Sequence, residues 1–251
     1  MTTIANLSKA EALQLERRFQ KKIHRAPSLE VAAQRYVESV YEALSDSLVL
    51  LRLFATVQFR DLPAPNQAFV RALADSTGAA DAIDDDTLVL SLLGSMGVEP
   101  AWCDRRLSVN HVGIPLVSRA FVGEIPMIAR LLKQLGVELD WIDRQDTAIV
   151  GKTFGLQSGV FHVADAATAV DSSNRKIIAA QEFVASHGVK TVYGVGGGYV
   201  ATPVFTAITG FCRDPIDQSR VEWFRSHIDR FKAETDTLVK QGRIFSVAAA
   251  D

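Results

Sequence analysis

The chain has 251 residues, 48% of them apolar and 22% charged, with a formal net charge of −2. That mix excludes a disordered or fibrous chain, and the length suffices for a large buried core without covalent staples. Acids and bases alternate along the sequence, so the basic stripe of a nucleic-acid binder is missing.

Two cysteines, Cys103 and Cys212, rule out a disulfide framework or a zinc ribbon on count alone. The N-terminal stretch is polar and amphipathic, without a signal-peptide core. The longest apolar run, residues 48–55, is too short for a membrane span and is broken by Arg52. A cytoplasmic protein without membrane or nucleic-acid partners is expected.

In chain order, Ser8 with Glu11 predicts a capping box, followed by the helical spacing of Leu15, Phe19 and Ile23 up to Pro27. Ser28 opens a second predicted helix with the stripe Leu29, Ala32, Tyr36, Val40 and Leu44. Residues 47–59 (SLVLLRLFATVQF) read as a strand, 67–74 as a helix, 87–96 as a strand and 106–116 as a weaker strand. Residues 124–135 predict a helix with Pro126 in its first turn and Gly136 past its end. A short strand at 160–163 and a helix over 174–186 follow. Residues 191–195 and 201–211 predict a hairpin joined by Gly196, Gly197 and Gly198, and Asp217 is expected to cap a long final helix. This order implies an α+β fold in which helices flank an antiparallel sheet.

The stretch from residue 187 (HGVKTVYGVGGGYVATPVFTAITGFCRDP) resembles the C-terminal half of a GAF domain. Upstream, GVEPAWCDRRLSVNHVGIPLVSRAFVGEIPMIARLLKQLG and the step Phe161-His162-Val163 resemble a GAF-like input module found ahead of PAS and histidine-kinase modules in bacterial sensors. The similarity runs over residues 29–240. It implies a GAF/PAS-like sheet whose N- and C-terminal helices pack together, with residues 1–27 as an extension, 28–240 as the sensory domain and 241–251 as a tail. The hairpin GGGYVATP is longer than the family's usual one, and no kinase, PAS or helix-turn-helix effector is expected after the exit helix.

Several motifs are better read without chemistry. Gly151-Lys152-Thr153 lacks the P-loop glycine, since that position is Asp146. The run Gly194, Gly196, Gly197, Gly198 lacks the sixth-position glycine of a dinucleotide fingerprint, which is Tyr199. Asp84-Asp85-Asp86 lacks the calcium-loop context, and the five histidines show no metal-ligand spacing. The family's methionine-sulfoxide reductases use several cysteines, and its bilin-binding members carry motifs absent from this chain. No nucleophile, acid and base set emerges, so the chain is expected not to be an enzyme.

The expected ligand-binding residues are Trp102, Arg105, His111 and Arg119, with Arg106 beside them, because arginine grips carboxylates or phosphates and tryptophan offers a stacking face. His162 and Tyr193 join them through the resemblance. The ligand is an unidentified small molecule and the cofactor unknown. Val221, Phe224, Ile228, Phe231 and Leu238 fit a heptad seam, predicting a homodimer helix. The expected function is a stand-alone sensor signalling through those helices, with a histidine kinase or regulator as partner in trans. The alternative is a ligandless interaction module of the same fold.

Overall fold

The computed structural model describes residues 3–137, 139–144 and 158–246. Two helices lead the chain, α1 (Lys9–Ile23) and α2 (Leu29–Leu44). The capping box of α1 forms as expected: Ser8 Oγ accepts from the Glu11 amide, and the Glu11 carboxylate accepts from the Ser8 amide. Ser28 caps α2 in the same way, accepting from the Val31 amide.

β1 (Leu48–Gln58) comes next and is buried on both faces along ten of its eleven residues. This explains why its sequence reads as a continuous apolar run without the alternation of a half-exposed strand. α3 (Ala64–Ser76), β2 (Leu88–Gly97) and the short β3 (Gly113–Pro115) follow. Then come α4 (Arg119–Gly123), α5 (Pro126–Gln134), α6 (Asp140–Arg144) and β4 (Ser158–Val163). The chain closes with α7 (Gln181–Ser186), β5 (Thr191–Gly198), β6 (Phe205–Cys212), α8 (Gln218–Val221) and α9 (Arg225–Lys240).

The six strands form one antiparallel sheet in the order β3-β2-β1-β6-β5-β4. One face carries Leu51, Leu53, Tyr193, Val195 and Ile208 against α1, α2 and α9. The other carries Leu50, Phe54, Phe161, Phe205 and Phe211 against α5 and the segment leading into α7. The fold is therefore α+β with helices on both sheet faces, as expected.

The terminal helices pack together, also as expected. Gln20 of α1 and His24, just past its end, reach Glu234 of α9, at 2.7 and 3.2 Å. Residues that the sequence divides into extension, domain and tail share one core: Phe19, Leu29 and Phe231 are fully buried together, with Ile244 beside them. The amides of Leu29 and Glu30 bond the carbonyls of Arg243 and Ile244.

Four local expectations need correction. The glycine run 196–198 lies inside β5, paired with Phe205, Thr206 and Ala207, and the turn spans 199–204 with Ala201 supplying the positive φ of 59°. Residues 106–112 are not strand; only Gly113–Pro115 pairs with β2. The predicted helix over 174–186 begins only at Gln181, because Arg175 and Lys176 are drawn into a turn by Asp171 and by a bridge to Val170. The final helix is interrupted by a 3-10 turn at Glu222–Phe224, and the Asp217 side chain makes no cap bond.

The heptad stripe is also corrected. Val221, Phe224, Ile228, Phe231 and Leu238 are 0–7% exposed within this chain, packed on α1, α2 and the sheet. A helix whose apolar stripe already covers its own sheet offers no seam to a second copy. The Gly151-Lys152-Thr153 triplet lies outside the described residues.

Candidate ligand pocket

A cavity of about 360 Å³ lies between the β1/β2/β6 part of the sheet and a cover made by three segments. The cover consists of the first turns of α5 from Ile125, the approach to α7 from Ile177 to Phe183, and the loop from Trp102 to His111. Its volume falls in the range of small-molecule sites.

The hollow follows from the cross-strand registry. Gly159, Gly196 and Ala207 lie side by side on β4, β5 and β6. This lane of small residues lets the end of α5 come down on the sheet: a Cβ at Gly159 would stand 2.4 Å from the Leu135 Cα, and one at Gly196 2.6 Å from its Cδ1. One row along the strands, Gly194, Thr209 and Arg52 pair across β5, β6 and β1. Residues paired across an antiparallel ladder project from the same face, and Thr209 and Arg52 both line the cavity.

The walls are mostly apolar, including Leu50, Phe54, Leu90, Ile114, Leu131 and Phe211. The polar side chains at the cavity are Arg52, Trp102, Asn110, His111 and Thr209, and no acidic residue is among the described residues that line it.

Arg52 is the unusual member. It is 9% exposed, and its one side-chain hydrogen bond among the described residues is from Nη2 to Ser108 Oγ at 3.2 Å. Its Nε has no acceptor, and no carboxylate pairs with it among the described residues. Burial pushes its pKa down to about 10, still cationic at neutral pH. Thr209 Oγ1, beside it, also lacks a partner among the described residues.

At the cavity mouth, His111 has a left-handed backbone, φ 58°. That conformation is uncommon outside glycine and accumulates at binding sites. The residue stays in reach of solvent, yet crowding of its ring by the walls, with the charge of Arg52 adding to it, holds its pKa below the ordinary histidine value.

Of the residues singled out by sequence, Trp102 and His111 come together at this cavity. Trp102 packs edge-on against Phe183 at 5.5 Å and lies 5.0 Å from the His187 ring. The others are placed elsewhere. Arg105 is turned to the α2 side, where it meets the buried Glu30 at 2.6 Å, with the exposed Arg106 at 3.4 Å. Arg119 forms a surface pair with Asp140. His162 pairs across the ladder with Tyr193, and its Nε2 lies 2.7 Å from the Ile216 carbonyl. Tyr193 is buried in the other core, its ring 5.3 Å from Phe224.

Sequence reasoning passed over Arg52, Thr209 and Asn110. The signal for Arg52 was present: one cation in the middle of the otherwise apolar run 48–55. A charge is rarely buried without a partner unless a ligand supplies one.

Fold and site together define an α+β domain with one filled sheet face and one hollow one. No family model matches the chain, and no curated protein gives a significant match. Among solved structures it is similar to the phycoerythrobilin-bound GAF domain of a cyanobacterial phytochrome, at 11% identity and a TM-score of 0.47, covering 94% of this chain and 98% of that one. It is also similar to the GAF domain of an Acinetobacter phosphoenolpyruvate-protein phosphotransferase, at 12% identity and a TM-score of 0.45, covering 95% and 100%. Among the described residues no helix is long and apolar enough to cross a membrane, and no three His, Cys, Asp or Glu residues are grouped to hold a metal ion.

Proposed function

We propose that this chain is a GAF-like sensory domain that binds a small molecule in the cavity above β1 and β6. The observation that carries this reading is an apolar hollow bordered by unpartnered polar atoms of Arg52 and Thr209. A hollow of this kind lowers the stability of an empty protein, and a ligand that fills it restores the lost contacts.

Signalling requires that the occupant prefer one arrangement of the protein over another. β1 gives it a lever. Arg52 faces the cavity while Leu51 and Leu53 face α1, α2 and α9. A shift of β1 toward an occupant therefore reaches the terminal helices directly. The receiver is a second polypeptide: a further copy of this chain, or a kinase or regulator acting in trans. The domain is read as non-catalytic and cytoplasmic.

The test is a thermal-shift screen of small metabolites on the wild type and on Ala207→Phe, which plugs the cavity from the sheet side. A ligand at a hundred times its Kd raises stability by about 2.7 kcal/mol. Compounds that stabilise the wild type are expected to leave Ala207→Phe unmoved. A plugged variant that still responds equally places binding elsewhere and ends this reading.

A further inference from the structure

We propose that the cavity takes a small organic monoanion, a carboxylate on an apolar body, with Arg52 as its counter-charge. This assignment rests on the reading of the hollow as a ligand pocket and adds the chemistry of what fills it.

The chemistry follows from what the pocket lacks. Arg52 is buried, bonds only a neutral serine hydroxyl through its side chain among the described residues, and keeps there a guanidinium Nε–H without an acceptor. A guanidinium presents its donors as a planar fork that matches the two oxygens of a carboxylate. Thr209, its neighbour across the ladder, has a hydroxyl to donate and no partner among the described residues. With no carboxylate among the described lining residues, a bound anion meets no like charge there.

A second feature points the same way. The start of α5 lines the cavity through its N-cap Ile125 and through Pro126, Met127 and Ile128, and the Ile125 side chain makes no cap bond. A helix start of this kind carries partial positive charge. Asn110 and His111 apart, the remaining walls are aliphatic and aromatic, with Trp102 packed on Phe183, so the rest of the ligand is mainly apolar. A free inorganic anion would leave those walls empty, and a cation would face Arg52 unshielded.

The experiment uses matched probes that differ only in the head group: 3-phenylpropionate, 3-phenylpropanol and 3-phenylpropylamine, then octanoate and octanol. Binding to the wild-type chain is measured by calorimetry at neutral pH. The acids are expected to bind at least tenfold tighter than the alcohols, about 1.4 kcal/mol, and the amine not at all. Arg52→Met should bring the acids down to the affinity of the alcohols while the alcohols keep theirs. Arg52→Lys should recover part of the preference. Removing an unpaired buried charge should also raise the melting temperature of the free Arg52→Met protein.

Alcohols that bind as tightly as acids overturn the anion assignment and leave the ligand pocket standing. Absence of binding by all five probes overturns both. A fall in the melting temperature of free Arg52→Met identifies Arg52 as a structural cation and likewise overturns the assignment. Acid binding that survives unchanged in Arg52→Met does the same.

Discussion

Glu30 and Arg105 form a buried ion pair at 2.6 Å, which ties the start of α2 to the loop following β2. The same carboxylate accepts from the amide and hydroxyl of Ser246, at 2.7 and 2.8 Å, so one side chain joins three separate parts of the chain. Burial alone would raise the pKa of Glu30, but the Ser246 bonds and the Arg105 charge outweigh it and hold the pKa below the usual value.

Arg105→Met is therefore expected to destabilise the protein by about 3 kcal/mol, since breaking one partner of a buried pair strands the other. Arg106 and Ser246 remain on Glu30, which puts the cost toward the lower end for such pairs. Urea unfolding gives the number. Ligand affinity should not change, and a variant of normal stability that fails to bind would return Arg105 to the binding site.

Acid should weaken the fold before the carboxylates titrate. His227 is fully buried, its Nδ1 accepting from the Tyr36 hydroxyl at 3.3 Å and its Nε2 donating to the Ala12 carbonyl at 3.2 Å. Burial depresses its pKa from 6.5 to about 4. The unfolded chain therefore binds the extra proton first, and stability is intact above pH 6.5 and lost progressively down to about pH 4. The loss amounts to roughly 3 kcal/mol at the lower end. The lowered pKa of Glu30 adds a further loss at still lower pH, as its carboxylate is protonated. Melting curves of the wild type and His227→Gln between pH 7 and 4 test this. Identical slopes in the two proteins would clear His227 of any role.

Phe231 lies at the centre of the helix-packed core, 5.7 Å from the Tyr36 ring. Phe231→Ala should cost about 3–5 kcal/mol in a denaturant titration. Light scattering should give the same molar mass before and after. A stable variant that turns a dimer into monomers would reinstate α9 as an intersubunit seam.

Gly159→Ala should destabilise by about 1–3 kcal/mol, because the added methyl meets Leu135 backbone and not a movable side-chain tip. The same change lifts the end of α5 and should weaken any ligand held by Leu131, another cavity-lining residue on that helix. Full stability combined with unchanged affinity would mean that α5 is not seated as described.

Much of the architecture was legible locally. Ser8 with Glu11, Ser28, and the Leu29–Leu44 stripe announced α1 and α2, since caps and periodicity are properties of neighbouring residues. The glycine run misled because Gly196 is small for the sake of Leu135, some sixty positions away in the sequence, and not for a turn. Arg105 and Arg52 show the same limit. Both are buried arginines, and only the fold reveals that one meets Glu30 while the other meets no acid among the described residues. The stripe on α9 was correctly periodic, but periodicity does not say whose surface it covers.

The middle of the sheet joins β1 to β6, with Leu48 beside Cys212 and Ala55 beside Thr206. Strands so distant in sequence pair late, because the loop between them must first close. During synthesis the β1–β3 half must therefore wait, with a long oily strand lacking its neighbour, until β6 has left the ribosome. Unfinished chains of this protein should cling to chaperones or to one another, and anything that halts translation before Phe205 should yield insoluble fragments in place of smaller working domains.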